Sequence, residues 1–167
     1  MLLLIFIASA TQHGMDATAA EGCGNLWAFQ RAQEVARGYA ETSRLTFEHV
    51  AAGIRARQPE GPIPTLPKEL EAVFGEGRNK IIVVNETTAA RHAGSEQAVK
   101  ETVGLNDEDM WQVHPELSTT GPCPICRPLD GTPRSYWGRF FPGGPPDPHV
   151  GCVCTIVYAF ERELVEA

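Results

Sequence analysis

Apolar and polar positions alternate with a helical period through most of the first hundred residues. Over residues 26–58, Leu26, Phe29, Ala32, Val35, Ala36 and Tyr39 recur three and four apart with Arg and Glu between them, which is the spacing of one helix face. Leu45, Phe47, Val50, Ala51 and Ile54 continue the pattern after an expected break at Thr42-Ser43, where Ser43 or Thr46 would cap a second helix. His49 on this stretch reads as a surface residue. Residues 59–67 then carry four prolines in nine positions, which ends any helix and opens a linker over 59–77 that closes on Gly75-Glu76-Gly77. A short helix over 68–74 fits within it.

The next segment, 78–103, contains Ile81-Ile82-Val83-Val84, whose β-branched content suits a strand. Ile81, Val84, Thr88 and His92 nevertheless fall at helical spacing, as do Ile82, Asn85 and Ala89, so the segment reads as helix as far as Gly94. Ser95 is then expected to cap a further helix over 96–103 that stops at Gly104. Beyond Gly104 the period shortens. Residues 110–114 and 154–160 read as strands of a small sheet, with a turn at Leu129-Asp130-Gly131-Thr132 between them. Residues 137–146 are too rich in Pro and Gly for a core strand. The fold class expected is α+β, N-terminal helices followed by a small β-sheet.

The apolar run over residues 1–10 is too short to span a bilayer. Ala8-Ser9-Ala10 looks like a small-residue cleavage site, but no Lys or Arg precedes it, and the bland readings are a buried helix end or a start codon upstream of Met15. Residues 1–25 are therefore read as an unassigned, flexible apolar N-terminus. A hydrophobic content of 43% with 21% charged residues is that of a folded chain. A formal charge of -7 disfavours a free-standing nucleic-acid binder, since phosphate contacts need clustered Lys and Arg. Any contact with DNA would have to be local. Five cysteines, with Cys23 a hundred residues from the rest, suit a reducing compartment better than a disulfide framework.

The chemistry lies in the other four. Cys123-x-x-Cys126 and His149-x-x-Cys152-x-Cys154, separated by a Gly/Pro-rich loop, have the spacing that builds a closed tetrahedral zinc site from two short turns. The bland alternatives are buried thiols or a pair of disulfides. Zinc takes four ligands, so one of the five candidates is spare. Residues two apart on an extended chain sit roughly 7 Å apart, too far for two sulfurs on one zinc. That favours Cys123, Cys126, His149 and Cys152, with Cys154 packing beneath, over a four-cysteine site.

Two enzymatic readings compete. His114-Pro115-Glu116 followed by Pro122-Cys123-Pro124-Ile125-Cys126 has the letters of a zinc deaminase, but residues 117–121 are too few for the strand that separates the two motifs there. Cys123 and Cys126 also have the spacing of a thiol-redox pair, or of the core of a metal-dependent enzyme, but no βαβ context surrounds them. Glu86 is the one isolated acid of interest, and a solvated helix face accounts for it equally well.

The ordered set Asn85-Glu86, Ala89-Ala90, Trp111, Cys123-Pro124-Ile125-Cys126, Leu129-Asp130-Gly131, Pro145-Pro146-Asp147-Pro148-His149 and Cys152-Val153-Cys154 resembles the C-terminal domain of the Mu F-like minor head proteins, the head morphogenesis family of tailed phages. The resemblance covers residues 78–160. It departs from the family at Asn85, where a Thr is usual, and at Val153, where a basic residue is usual. It implies a structural, non-catalytic protein built into the phage head during procapsid assembly in the host cytoplasm. The partners implied are portal and capsid proteins and the packaged DNA, with neither a membrane nor a small-molecule substrate.

Overall fold

The computed structural model describes residues 1–57, 60, 70–71, 74–118, 121, 123–149 and 151–166. Helices α1 (Leu2–Gln12), α2 (Ala17–Arg57) and α3 (Glu76–Thr102) come first. They are followed by strand β1 (Met110–Gln112), the single-turn helix α4 (Arg134–Trp137), strand β2 (Thr155–Val157) and helix α5 (Ala159–Glu166). The protein is α+β, with a two-stranded antiparallel sheet that pairs Met110 with Val157, Trp111 with Ile156 and Gln112 with Thr155. Both strands are shorter than the sequence suggests, and β2 gives way to helix at Ala159. The Pro-rich segment 59–67 and most of the short helix expected over 68–74 lie outside the described residues. Among the described residues no helix is long and apolar enough to cross a membrane.

The chain divides into two compact units, Met1–Leu26 with Ile82–Ala167, and Trp27–Ile81. In the second, α2 runs through the expected break at Thr42-Ser43. The hydroxyls of Thr42 and Thr46 bond back to the carbonyls of Gly38 and Thr42, at 2.7 Å each, and so continue the helix instead of capping a new one. Arg44 spans the same turns, 2.6 Å from both Glu41 and Glu48. Ile54 is the buried anchor of this unit, and Arg78 stacks 4.7 Å over the Phe74 ring.

In the first unit the N-terminal run is neither unassigned nor loose. It is helix α1, and it buries Phe6, Ser9 and Ala10. Asp16 accepts hydrogen bonds from the N–H groups of Thr18 and Ala19, at 2.9 and 3.2 Å, and so caps the start of α2. The residues that α3 buries are Glu86, Thr88, Ala90, His92, Gly94, Ser95, Ala98 and Val99. Ile81, Val83 and Val84, the most apolar positions of the segment, are exposed. No helix boundary occurs at Gly94, and Ser95 does not cap; its hydroxyl donates to the Arg91 carbonyl at 3.0 Å and to or from Ser9 at 2.6 Å. The helix ends at Gly104, which takes φ +84 and donates to the Val99 carbonyl at 2.8 Å.

Gly94 is there for a tertiary reason. A Cβ at this position would run into the backbone carbonyl of Phe6, so α1 and α3 touch main chain to side-chain-free main chain. Ala is the better helix former by about 1 kcal/mol, but overpacking against a backbone that cannot swing aside costs about 1–3 kcal/mol. Gly94→Ala is therefore expected to destabilise the protein in urea titration. Gly38→Ala on α2, where nothing lies within 4 Å, is expected to stabilise it.

The core of the first unit joins Val99, Trp111, Cys126, Leu129, Trp137, Cys152, Cys154, Ile156 and Tyr158. Trp111 meets Trp137 edge to face with ring centres 5.5 Å apart. The Leu-Asp-Gly turn closes on β1. The Gly131 N–H donates to the Trp111 carbonyl at 2.8 Å, and Asp130 accepts from the Val113 N–H at 2.9 Å.

Candidate metal centre

Each half of the Cys/His set arrives on a turn. Cys123 to Cys126 lead into the 3-10 turn Arg127–Leu129, which Leu129 anchors in the core. The Ile125 N–H donates to Cys123 Sγ at 3.3 Å, and the Arg127 N–H to the Cys123 carbonyl at 2.9 Å. On the other side Gly151 takes φ +83, which only glycine adopts without strain, and the Cys152 N–H turns back onto the His149 carbonyl at 3.3 Å. Cys152 and Cys154 then precede β2 and are buried, while Cys123 and His149 are half-buried.

All five candidates come together. Cys123, Cys126 and His149 form one group of mutually close donors, and Cys126, Cys152 and Cys154 a second, each within 4.8 Å. Cys126 belongs to both, 3.1 Å from His149 Nε2 and 3.9 Å from Cys152 Sγ. These Cys/His groups could hold a metal ion. Cys154 does not simply pack beneath them. Cys152 and Cys154 lie on irregular backbone ahead of β2 and not on an extended strand, so their sulfurs approach one another.

The electrostatics are those of thiols crowded around shared protons. Hydrogen bonds to Cys152 and Cys154, reinforced by burial, push the Cys126 thiol well above its ordinary range. At Cys152 a hydrogen bond from Cys126 works downward, but Cys154 and burial prevail and raise the thiol to about 12. Cys154 is held down to about 3 by hydrogen bonds from Cys126 and Cys152, with a smaller contribution from the Trp111 indole. The five cysteines carry free thiols, and Cys23 lies apart from the cluster, 3.8 Å from Glu101.

The surroundings hold residues that the spacing did not single out. From α3, Asn85 Oδ1 accepts from the Gly151 N–H at 3.4 Å, and Arg91 Nη2 donates to the Val153 carbonyl at 3.5 Å. Glu86 is not on a solvated face; it is buried beside Asn85, whose amide donates to it at 3.3 Å. A cavity of about 220 Å³, lined by Ser9, His13, Arg91, Ser95, Cys154 and Tyr158 among others, lies against the cluster. His114 takes no part in it. Its ring bonds Glu116 at 2.9 Å and Thr155 at 2.8 Å, and residues Pro115–Leu117 form a 3-10 turn.

His92 sits on the buried face of α3, its Nε2 3.5 Å from Glu96 Oε2 and pressed against Gly144, where a Cβ would collide with the ring. Burial, only partly opposed by Glu96, lowers its pKa below 6.5. The folded state therefore prefers the neutral ring. Full stability is present above pH 6.5 and is lost below it, at up to about 1.4 kcal/mol per pH unit. Unfolding midpoints of wild type and His92→Asn between pH 7.5 and 5.5 should show a shallower acid slope in the variant. Equal slopes would assign the acid sensitivity to another group.

No family model, no curated protein and no solved structure matches the chain.

Proposed function

We propose that this chain is a structural minor head protein of a tailed phage or prophage, which acts near the portal during procapsid assembly and carries a structural zinc ion in its Cys/His centre. Portal and capsid proteins are its partners, beside the packaged DNA. The observation that carries the reading is the convergence of the ordered motif. Trp111, Cys126, Leu129, Cys152 and Cys154, scattered over more than forty positions, pack into one core with the metal donors at its edge.

Zinc suits the donor set. Bonds of about 2.3 Å to sulfur and about 2.0 Å to nitrogen put two sulfurs of a tetrahedral site about 3.8 Å apart, and a sulfur and a nitrogen about 3.5 Å apart. The Cys126–Cys152 separation of 3.9 Å is such an edge, and the Cys126–His149 separation of 3.1 Å needs only a few tenths of an ångström of relaxation. The ligands we assign are Cys123, Cys126 and His149, which already form one group of close donors, with Cys152 joining them through its edge to Cys126 and Cys154 as the rival for the fourth position. The glycine turn at Gly151 supports His149 and Cys152 as the second pair, and the Ile125 N–H on Cys123 is the contact a ligating thiolate attracts. With four protein ligands the ion keeps no open position and does no chemistry. The rival reading, a thiol-redox or metal-dependent enzyme using Cys123 and Cys126, needs one of these sulfurs free to react.

The test is particle composition. A tagged chain expressed from its own locus should sediment with procapsids at low copy and cross-link to the portal protein. A chain that stays entirely in the soluble fraction while full procapsids form would overturn the assembly role.

A further inference from the structure

Arg134 and Arg91 make a useful contrast. Arg134 lies within ion-pair distance of two carboxylates, Glu96 and Asp109. Arg91 is also largely withdrawn from solvent, yet among the described residues no carboxylate lies within ion-pair distance of it, and the bond it makes is the long one to the Val153 carbonyl. Val153 is the residue between Cys152 and Cys154. The position of Arg91 is fixed from behind, since its own carbonyl accepts the hydroxyls of Ser9 at 2.9 Å and Ser95 at 3.0 Å.

Even a half-buried guanidinium without a carboxylate is costly unless another anion answers it. Here that anion is the cysteine cluster. Three thiolates and one imidazole around a doubly charged zinc leave an excess negative charge. Outer groups of this kind orient ligands and tune the metal. We infer that Arg91 is the outer cation of the metal centre, reaching from α3 to the backbone between Cys152 and Cys154 to offset the charge of the cluster and hold the second ligand turn. Asn85 grips the same turn one residue before Cys152. Helix α3 thus clamps this ligand from both sides, and its charged contact is the one that responds to metal.

The inference rests on the zinc reading, and the two fail differently. Zinc affinity is measured by competition with a chromophoric chelator for wild type, Arg91→Gln and Arg91→Lys, and the metal-free proteins are unfolded in urea. Arg91→Gln is expected to lose about 10–100-fold in zinc affinity, the usual effect of removing an outer-shell partner. Arg91→Lys should recover most of it, and metal-free Arg91→Gln should be no less stable than metal-free wild type. Unchanged affinity in Arg91→Gln overturns the inference while leaving the zinc site standing, as does an equal loss in Gln and Lys or a matching loss of metal-free stability. A wild-type chain that takes up no zinc overturns the site itself, and the role of Arg91 with it.

Discussion

A Cys126→Ser chain is expected to purify without zinc and to unfold at a much lower urea concentration in its C-terminal half, while the rest of the chain keeps its helical signal. Cys126 is singled out because it is the one donor common to both groups, so no rearrangement among the other four restores its two short edges. Structural zinc in small modules is worth on the order of 10 kcal/mol of apparent binding energy at pH 7. The sheet it would hold together has only three residues in each strand, Met110–Gln112 and Thr155–Val157. An isolated pair of this length is marginal in water. The residues around it, Cys126, Cys152 and Cys154, are themselves part of the core. Without the ion, their thiols are left crowded together inside that core with nothing to hold them in place. The same loss of stability should follow chelator treatment of the wild type, read by tryptophan fluorescence through Trp111 and Trp137. If Cys126→Ser retains zinc and wild-type stability, the ion is not what holds this half of the protein.

The second large effect is expected away from the cysteines. Asp109 is 1% exposed, and its carboxylate accepts from the N–H groups of Asn106 and Ala159, both at 3.0 Å. It thereby closes the turn before β1 and starts α5. Arg134 Nε lies 3.3 Å away, an ion-pair separation, while Arg134 Nη1 donates to Glu96 on α3 at 2.9 Å and the guanidinium lies 4.7 Å over the Trp137 ring. Breaking a buried pair from one side typically costs about 3–5 kcal/mol, because the remaining group stays desolvated without its partner. Arg134→Met is expected to cost that much, roughly 10 °C in melting temperature for a chain of this size. The double variant Asp109→Asn with Arg134→Met should cost less than the sum of the two single changes. Additive single effects would mean that the two side chains are not coupled.

How much of this could be read from the sequence depends on what each element buries. The Ile81 to Val84 run resolved correctly as helix, because Thr88 and His92 kept its period going where a strand would have stopped. The expected break at Gly94 failed because glycine there answers a neighbour and not the local chain. Only the placement of α1 explains it, and α1 itself was hidden in an apolar run that resembled a leader. The buried face of α3 was also illegible. Ala90, Gly94, Ser95 and Ala98 carry no hydrophobic periodicity, since small residues are chosen for close approach rather than for apolar area. The gathering of the five candidate donors, by contrast, was legible, because ligand spacing is a local property of two turns. What spacing could not supply was the choice between Cys152 and Cys154, which depends on backbone that is irregular ahead of β2. Nor could it supply Arg91 or the Asp109–Arg134 pair, where the partners are 25 or more positions apart and no motif links them, and Asn85 entered only through the ordered set that begins with it. Asp16, with its Thr18 and Ala19 contacts, and Glu161, which accepts from the Tyr158 N–H, are local capping signals that the hydrophobic period does not register.

The most direct measurement is the zinc content per chain of purified wild type, His149→Ala and Cys154→Ser by elemental analysis. The account predicts one zinc per chain in wild type, retention in Cys154→Ser and loss in His149→Ala. Two ions per chain would mean that Cys126 bridges the two donor groups, and loss in Cys154→Ser with retention in His149→Ala would make the centre a four-cysteine site. A wild-type chain purified from zinc-replete cells without any metal would contradict the central claim outright.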